Sequence, residues 1–264
     1  MKKFQVIGNP IIHSLSPEIH NYWIKNNNID AIYEKRKVNE QDLKHLISQI
    51  RNKEITGVNV TVPFKKIIIP HLDELTPEAK ETQSVNTISL QHDRVIGHNT
   101  DIGGFEISLQ KYEYNIHNKN VFLLGAGGVA PSIIYALNKM KVSNIFLSNR
   151  SKEKAINLKK IFTNLNLVDW GEVPNFDIVI NATSLGLNKE DHMTQDFSNV
   201  GKNKLFYDVI YNPQETNFLK TGKNLGNIAV NGKLMFVYQA FLAFQIWHQI
   251  KPEINEEVSK LLNK

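Results

Sequence analysis

Cysteine is absent from all 264 residues. That excludes disulfides, thiolate nucleophiles and cysteine-ligated metal, while fitting any compartment. Equally missing is an apolar run near the ~20 residues that a membrane helix needs. The most apolar stretch, MFVYQAFLAF (Met235 to Phe244), is interrupted by Gln239. Near the N-terminus, Asn9-Pro10 breaks KKFQVIG after too few apolar residues for a signal peptide. No internal repeat and no low-complexity linker is present. A basic stripe interleaved with aromatics, which single-strand nucleic-acid binders use, is lacking too; the densest basic run is KRK, Lys35 to Lys37. These absences point to a soluble, cytoplasmic protein with no nucleic-acid or membrane partner and no metal; a monomer or homodimer is expected.

What is present describes a globular enzyme-sized chain. An apolar fraction of 41% supplies a sizeable core, and 264 residues suffice for one large domain or two ordinary ones. The net charge of +5 suits a small anionic substrate and a phosphorylated cofactor, and equally a Lys-rich compositional bias. Strand-like segments alternate with helix-like ones, which argues for parallel sheets. KFQVIG, AIYEKRKV, GVNVTV and SVNTISL read as strands in the first third, with helices from Ser16-Pro17, over Asp42 to Arg51 and over Pro63 to Leu72. Ser16 stands where an N-cap hydroxyl belongs, ahead of Pro17. A second run starts at Asn120, with NIFLSNR, FDIVINATS, KLFYDVIY and NIAVNG as its later strands. The expected fold is therefore α/β with two domains separated by a cleft.

GAGGVA, Gly125 to Ala130, follows an apolar strand and opens a helix, the context of a dinucleotide-binding G-x-G-x-x-A turn. Gly125 permits the tight turn, Gly127 lets backbone approach a pyrophosphate, and amides from Ala126 through Gly128 and Val129 face the phosphates. About twenty residues on, an NAD site would carry Asp or Glu for the ribose hydroxyls. This chain has Asn149, Arg150 and Ser151, then Lys152 and Lys154. A guanidinium with flanking donors suits a 2′-phosphate, so NADP (NADPH) is the expected cofactor. Ser151 also fits the N-cap of the helix that follows.

NVTVPFKK, Asn59 to Lys66, is the other conspicuous stretch. Alternation sends Val58, Val60 and Val62 to one face and Asn59 and Thr61 to the other, before Pro63 ends the strand. Polar residues also gather at Ser14 and Ser16, at Asn86 in SVNT, and at Asp101 in HNTD. Structural roles are open to each: Ser14 and Ser16 as helix caps, Asn86 in a turn, Asp101 capping a helix that starts near Gly103. As a set they offer donors for a carboxylate and for hydroxyls, plus one Lys and one Asp. Hydride transfer from an alcohol needs a group to accept the hydroxyl proton. Lys65, oriented by Asp101, could do that.

GNPIIHSLSPEIHN, NVTVPFK, SVNT, GHNTDIGG, LGAGGVA, SNRSKEKA, NATSLG, YDVIYNPQET and NGKLMFVYQAFLAF occur in this order. Together they resemble the bacterial shikimate dehydrogenase family, the NADP-dependent enzymes of chorismate and aromatic amino-acid biosynthesis. The resemblance runs from Val6 to about Trp247. It implies an N-terminal α/β substrate domain, 1–103 plus 237–264, and a doubly wound Rossmann-type NADP domain, 104–236. It implies reversible reduction of 3-dehydroshikimate to shikimate, with Lys65 as acid/base and Asp101 as its partner. Ser14, Ser16 and Tyr211 would hold the substrate carboxylate, and Asn59, Thr61, Asn86, Asp101 and Gln239 its hydroxyl side. Gln239, among apolar helix neighbours, reads as a buried amide that needs partners. Thr183, Val209 and Gly232 would join the glycine turn and the Asn149 to Lys154 segment at the cofactor.

Departures from the family pattern are Pro131 in place of Arg, QSVNT in place of GAVNT, Ser151 in place of Thr, and the WHQ at Trp247 to Gln249. None touches Lys65 or Asp101. The rival readings are a quinate/shikimate dehydrogenase with relaxed cofactor use and, from another class, a catalytically silent shikimate-sensing protein. Methylenetetrahydrofolate dehydrogenase, a two-domain relative in architecture, lacks the SLS, NVTVPFK and NTD set.

Overall fold

The computed structural model describes residues 1–188 and 190–262. Lys189, in the expected NADP domain, and Asn263 and Lys264, in the expected substrate domain, lie outside the described residues. The chain divides into two compact units, Met1–Gly104 with Val237–Lys264, and Phe105–Phe236.

The first unit opens with β1 (Lys2–Gly8), α1 (Ser16–Asn26), β2 (Ala31–Lys37), α2 (Leu43–Arg51) and β3 (Gly57–Val60). Three strands joined by helical crossovers pair in parallel, with β1 between β2 and β3. A short α3 (Phe64–Ile67), β4 (Glu74–Leu75) and α4 (Pro77–Thr82) follow, then a hairpin of β5 (Thr87–Gln91) and β6 (Arg94–His98), and α5 (Thr100–Lys111). The spatial order is β2-β1-β3-β5-β6-β4. Here the sheet departs from the parallel expectation, because β5 runs antiparallel to both β3 and β6. The β6 strand escapes sequence reading for a physical reason. Its hairpin turn places His92 (φ 49°) and Asp93 (φ 60°) in the left-handed region, without the glycine that usually marks such turns.

Two further corrections concern the same region. β3 ends at Val60, so Val62 does not join the buried face of Val58 and Val60 and is 58% exposed. The expected helix from Pro63 to Leu72 is α3 followed by a separate 3-10 turn over Ile69–His71. The replacement of glycine by Gln83 has a structural counterpart: Gln83 is the left-handed C-cap of α4 (φ 49°), where glycine is the least strained residue. Its side-chain amide donates to the Lys80 carbonyl at 2.7 Å. Ile7, Val58, Val60, Leu43, Ile47, Ile50, Phe64 and Ile88 lie in the core between sheet and helices.

The second unit contains β7 (Asn120–Leu124), α6 (Ala130–Lys139), β8 (Asn144–Ser148), α7 (Lys152–Ile161), β9 (Leu165–Val168), β10 (Ile178–Asn181), β11 (Leu205–Asp208), α8 (Asn217–Asn224) and β12 (Ile228–Val230). All its pairings are parallel, in the order β12-β11-β10-β7-β8-β9. That is the doubly wound Rossmann arrangement, with the reversal of strand order between β7 and β10. Its strands β10 and β11 are buried along their length, whereas the edge strands β9 and β12 are partly exposed. Phe122, Phe176, Phe197, Phe206 and Phe218 form an aromatic core on one side. The chain closes with α9 (Lys233–His248) and α10 (Glu256–Leu261).

Candidate active site

In the first unit the antiparallel hairpin decides the geometry. Pairing of Asn59 with Thr87, and of Thr87 with His98, carries the start of β5 and the end of β6 to the C-terminal end of β3. The Val60 N–H donates to the Asn86 carbonyl (2.8 Å), and the Asn86 N–H to the His98 carbonyl (3.0 Å). The Val85 N–H donates to the Lys65 carbonyl (2.9 Å), tying α3 to the same point. Residues 36 apart in sequence thereby meet. Lys65 Nζ donates to Asp101 Oδ2 at 2.5 Å, with side chains only 14% and 8% exposed. Lys66, its neighbour, is exposed.

Asp101 does not cap a helix near Gly103. α5 begins at Thr100, so the carboxylate sits in the first turn, where helix amides favour negative charge. Its Oδ1 accepts from Asn86 Nδ2 at 2.9 Å, so Asp101 is held from two sides. Asn86 Oδ1 accepts from the Thr100 N–H (2.8 Å) and the Thr100 hydroxyl (3.1 Å). Ser16 is likewise no N-cap. It is the first residue of α1 after Leu15, with Pro17 next, and the Ser14 hydroxyl donates to its Oγ at 3.2 Å.

Asn59 is buried with both amide protons engaged inside the protein, on the Asn86 carbonyl (3.1 Å) and Thr87 Oγ1 (3.0 Å). It therefore holds the strand ends together rather than presenting donors outward. Thr61 is half-buried just past β3, its N–H on the Ile7 carbonyl at 3.0 Å. Gln239, in α9, is half-buried rather than the fully buried amide its neighbours suggested. Thr87 and Thr100 lie within the SVNT and HNTD motifs, so adjacency to Asn86 and Asp101 was a signal that could have found them.

The second unit gathers its candidates around the reversal of strand order. Gly125 follows β7 with φ 108°, and a Cβ there would stand 2.8 Å from the Ala182 carbonyl oxygen. Only glycine fits this turn. Gly127 and Gly128 are exposed ahead of α6, which starts at Ala130 with Pro131 in its first turn. Asn149 Oδ1 accepts from the Ala126 N–H at 2.9 Å, and its Nδ2 donates to the Ser151 carbonyl at 2.8 Å. Asn149 thus braces the glycine turn against the end of β8, and the Ala126 amide is committed to it. Arg150, Ser151 and Lys154 are exposed, and Ser151, at the N-cap of α7, makes no side-chain cap bond.

Thr183 follows β10, its hydroxyl donating to Asn181 Oδ1 at 2.7 Å and accepting from the Leu185 N–H at 3.0 Å. Asn181 in turn donates to Asp208 Oδ1 (3.0 Å), and Thr216 to Asp208 Oδ2 (2.6 Å). Burial pushes the Asp208 carboxyl up to about 6, against the pull of these donors. Gly232 packs so closely on the Val209 carbonyl that no side chain fits, which brings those two backbones together. Tyr211 stacks on Phe236, ring centroids 4.3 Å apart. A glycine turn with exposed backbone, an exposed guanidinium and no carboxylate in Asn149–Ser151 fit a dinucleotide carrying a 2′-phosphate.

A buried Lys–Asp ion pair at strand ends in one α/β unit and a Rossmann-type glycine turn in the other fit a two-domain α/β dehydrogenase architecture. Sequence families agree: "Shikimate dehydrogenase substrate binding domain" matches residues 6–88, and "Shikimate / quinate 5-dehydrogenase" matches residues 106–217. The chain is 55% identical over 262 residues to the shikimate dehydrogenase (NADP(+)) of Pelagibacter ubique strain HTCC1062, covering 99% of each. It is 35% identical to that of Staphylococcus haemolyticus strain JCSC1435, covering 99% of this chain and 98% of the relative. Among solved structures, shikimate 5-dehydrogenase from Thermus thermophilus in complex with NADP(H) and shikimate superposes with a TM-score of 0.89 at 28% identity, covering 99% of this chain and 97% of that one. The chain belongs to the NADP-dependent shikimate dehydrogenase family. Among the described residues, no helix is long and apolar enough to cross a membrane.

Proposed function

We propose that this chain reduces 3-dehydroshikimate reversibly to shikimate, with NADPH, in chorismate and aromatic amino-acid biosynthesis. The observation that carries this reading is the Lys65–Asp101 contact of 2.5 Å, locked by Asn86, in a chain of this family. When bound, NADPH supplies the hydride delivered to the substrate's carbonyl carbon. Lys65 donates a proton to the carbonyl oxygen as charge develops there, and in reverse accepts the hydroxyl proton. Asp101 keeps the amine aimed and accepts from a ring hydroxyl. Ser14 and Ser16, with Tyr211, hold the carboxylate; Thr61, Asn86 and Gln239 take hydroxyls; Asn59 fixes the strand ends behind them.

In this reading residues 1–103 and 237–264 bind substrate and 104–236 bind cofactor. The backbone of Gly125, Gly127, Gly128 and Val129 receives the pyrophosphate, with Ala126 braced by Asn149. Arg150, Ser151 and Lys154 take the 2′-phosphate, while Thr183, Val209 and Gly232 border the nicotinamide. The enzyme works in the cytoplasm as a monomer or homodimer. The test is absorbance at the nicotinamide band with shikimate and NADP⁺, repeated with NAD⁺ and with quinate. Fast reduction of NADP⁺ by shikimate alone is expected. Comparable rates with NAD⁺ or quinate would replace this reading with a relaxed-specificity enzyme, and binding without turnover with a sensor.

A further inference from the structure

Thr82 and Asn99 are both buried, 0% and 9% exposed, and neither has a part in the substrate contacts above. Each stands at a helix end. Thr82 closes α4, and Asn99 immediately precedes α5, whose second residue is Asp101. The first amides of a helix have no partner within it. In α5 two side-chain amides serve them: Asn86 Oδ1 accepts from the Thr100 N–H at 2.8 Å, and Asn99 Oδ1 from the Asp101 N–H at 3.2 Å. Asn99 is therefore the N-cap of α5, and the amide it takes belongs to the partner of Lys65.

Groups that can act in only one way orient the rest. The Asp101 N–H can only donate, so Asn99 turns its oxygen there and its Nδ2 to Thr82 Oγ1, at 3.0 Å. The Glu78 carbonyl can only accept, so the Thr82 hydroxyl donates to it at 2.7 Å, and its oxygen is left to accept from Asn99. α4 is itself fastened at both ends. The N–H of Thr76, its N-cap, donates to the Gly97 carbonyl at 3.0 Å, and the Ser84 N–H, past its last turn, to the Ala79 carbonyl at 3.3 Å. Beyond Thr82 the chain runs through Gln83, Ser84 and Val85 to Asn86, and the Val85 N–H is on the Lys65 carbonyl. The Thr82–Asn99 bond thus joins the two segments whose next functional residues, Asn86 and Asp101, meet at 2.9 Å beside Lys65.

We propose that Asn99 is a positioning residue: anchored on Thr82, it fixes the first turn of α5 and so the place of the Asp101 carboxylate beside Lys65. The inference rests on the substrate reading above. Asn86 and Lys65 hold Asp101 by its side chain; Asn99 holds it by its backbone. Without the second hold, the carboxylate keeps its bonds only by moving with whatever the helix start does. The aim of the Lys65 amine then shifts, and so does the acceptor offered to a ring hydroxyl.

Asn99→Ala removes cap and anchor together. One lost hydrogen bond in such a network corresponds to about tenfold. The expected result is kcat lowered about tenfold and shikimate binding, by calorimetry without cofactor, weakened about fivefold, with the NADP⁺ KM within about twofold of wild type. Thr82→Val leaves the cap bond and removes only the anchor, so kcat should fall by about three- to fivefold, and Thr82→Ser should restore it. Asn99→Ala combined with Thr82→Val should cost less than the product of the single effects. A cap that served stability alone would lower the urea midpoint of Asn99→Ala and leave kcat and shikimate binding at wild type, which would overturn the proposal. Wild-type kcat in Thr82→Val overturns it too, as does an NADP⁺ KM that rises in step with the shikimate one. If Asn99→Ala does not fold, the Thr82 pair decides: loss in Thr82→Val with recovery in Thr82→Ser supports the anchor, and any other pattern refutes it. Wild-type turnover of shikimate is measured first. Inactivity there refutes the substrate reading and this inference with it, whereas unaffected variants beside an active wild type refute the inference alone.

Discussion

The two units bury one carboxylate each at a strand end, and they do so differently. Asp101, in the first unit, faces an ammonium at 2.5 Å and an amide donor at 2.9 Å. Asp208, in the second, has only neutral donors: the Thr216 hydroxyl, the Asn181 amide and the Ile210 N–H. A carboxylate beside a cation fixes where the ammonium points. A carboxylate ringed by dipoles is a strut: it joins β11, the Asn181 end of β10 and the N-cap of α8. The same contrast holds at the two candidate sites. The first unit relies on interlocked side chains, the second on backbone amides at a turn that only glycine can make.

Lys65→Ala cuts deepest into this comparison. It should lower kcat by ~10²-fold or more with shikimate binding little changed, whereas Lys66→Ala, on the exposed side of the same turn, should leave kcat near wild type. Steady-state kinetics paired with calorimetric binding separates the two; normal turnover in Lys65→Ala would remove the amine from the mechanism.

Next comes the second unit's cofactor end. Arg150→Ala should raise the NADP⁺ KM by about tenfold, the scale of one charge-assisted hydrogen bond, and leave the NAD⁺ KM nearly unmoved. Equal effects on both cofactors would cancel the 2′-phosphate assignment.

The smallest effect concerns stability rather than rate. Because folding raises the Asp208 carboxyl to about 6 from an ordinary 3.8, the folded state holds its proton more tightly. Stability from this group is therefore full below the ordinary value and falls as pH rises towards 6, by about 3 kcal/mol at most. Asp208→Asn carries no such slope. Urea denaturation at pH 4 and pH 7 should show the variant gaining on wild type as pH increases; a difference independent of pH would mean that burial does not perturb the group.

Much of the cofactor half was legible because its signals are local. The GAGGVA turn, its flanking strand and helix, and Arg150 two residues past β8 lie where a periodic reading puts them. The substrate half was legible in its residue types but not in their arrangement. Ser16 and Asp101 looked like helix caps, and each helix begins earlier than a cap there would allow. Asn59 looked outward-facing by alternation, yet its amide is used up by Asn86 and Thr87.

By itself the sequence determined the class of chain: no cysteine, no membrane run, alternating strands and helices, a glycine turn that Cβ atoms would block, and a basic residue where an acid would select NAD. These are properties of single residues and short spacings. Only the tertiary structure decided which polar residues meet. The hairpin β5–β6 has no glycine in its turn, and its antiparallel pairing with β3 brings Asn86 and Asp101 to Lys65 across 36 residues of chain. Strand direction is set by how the whole sheet packs, and a one-dimensional pattern does not carry it.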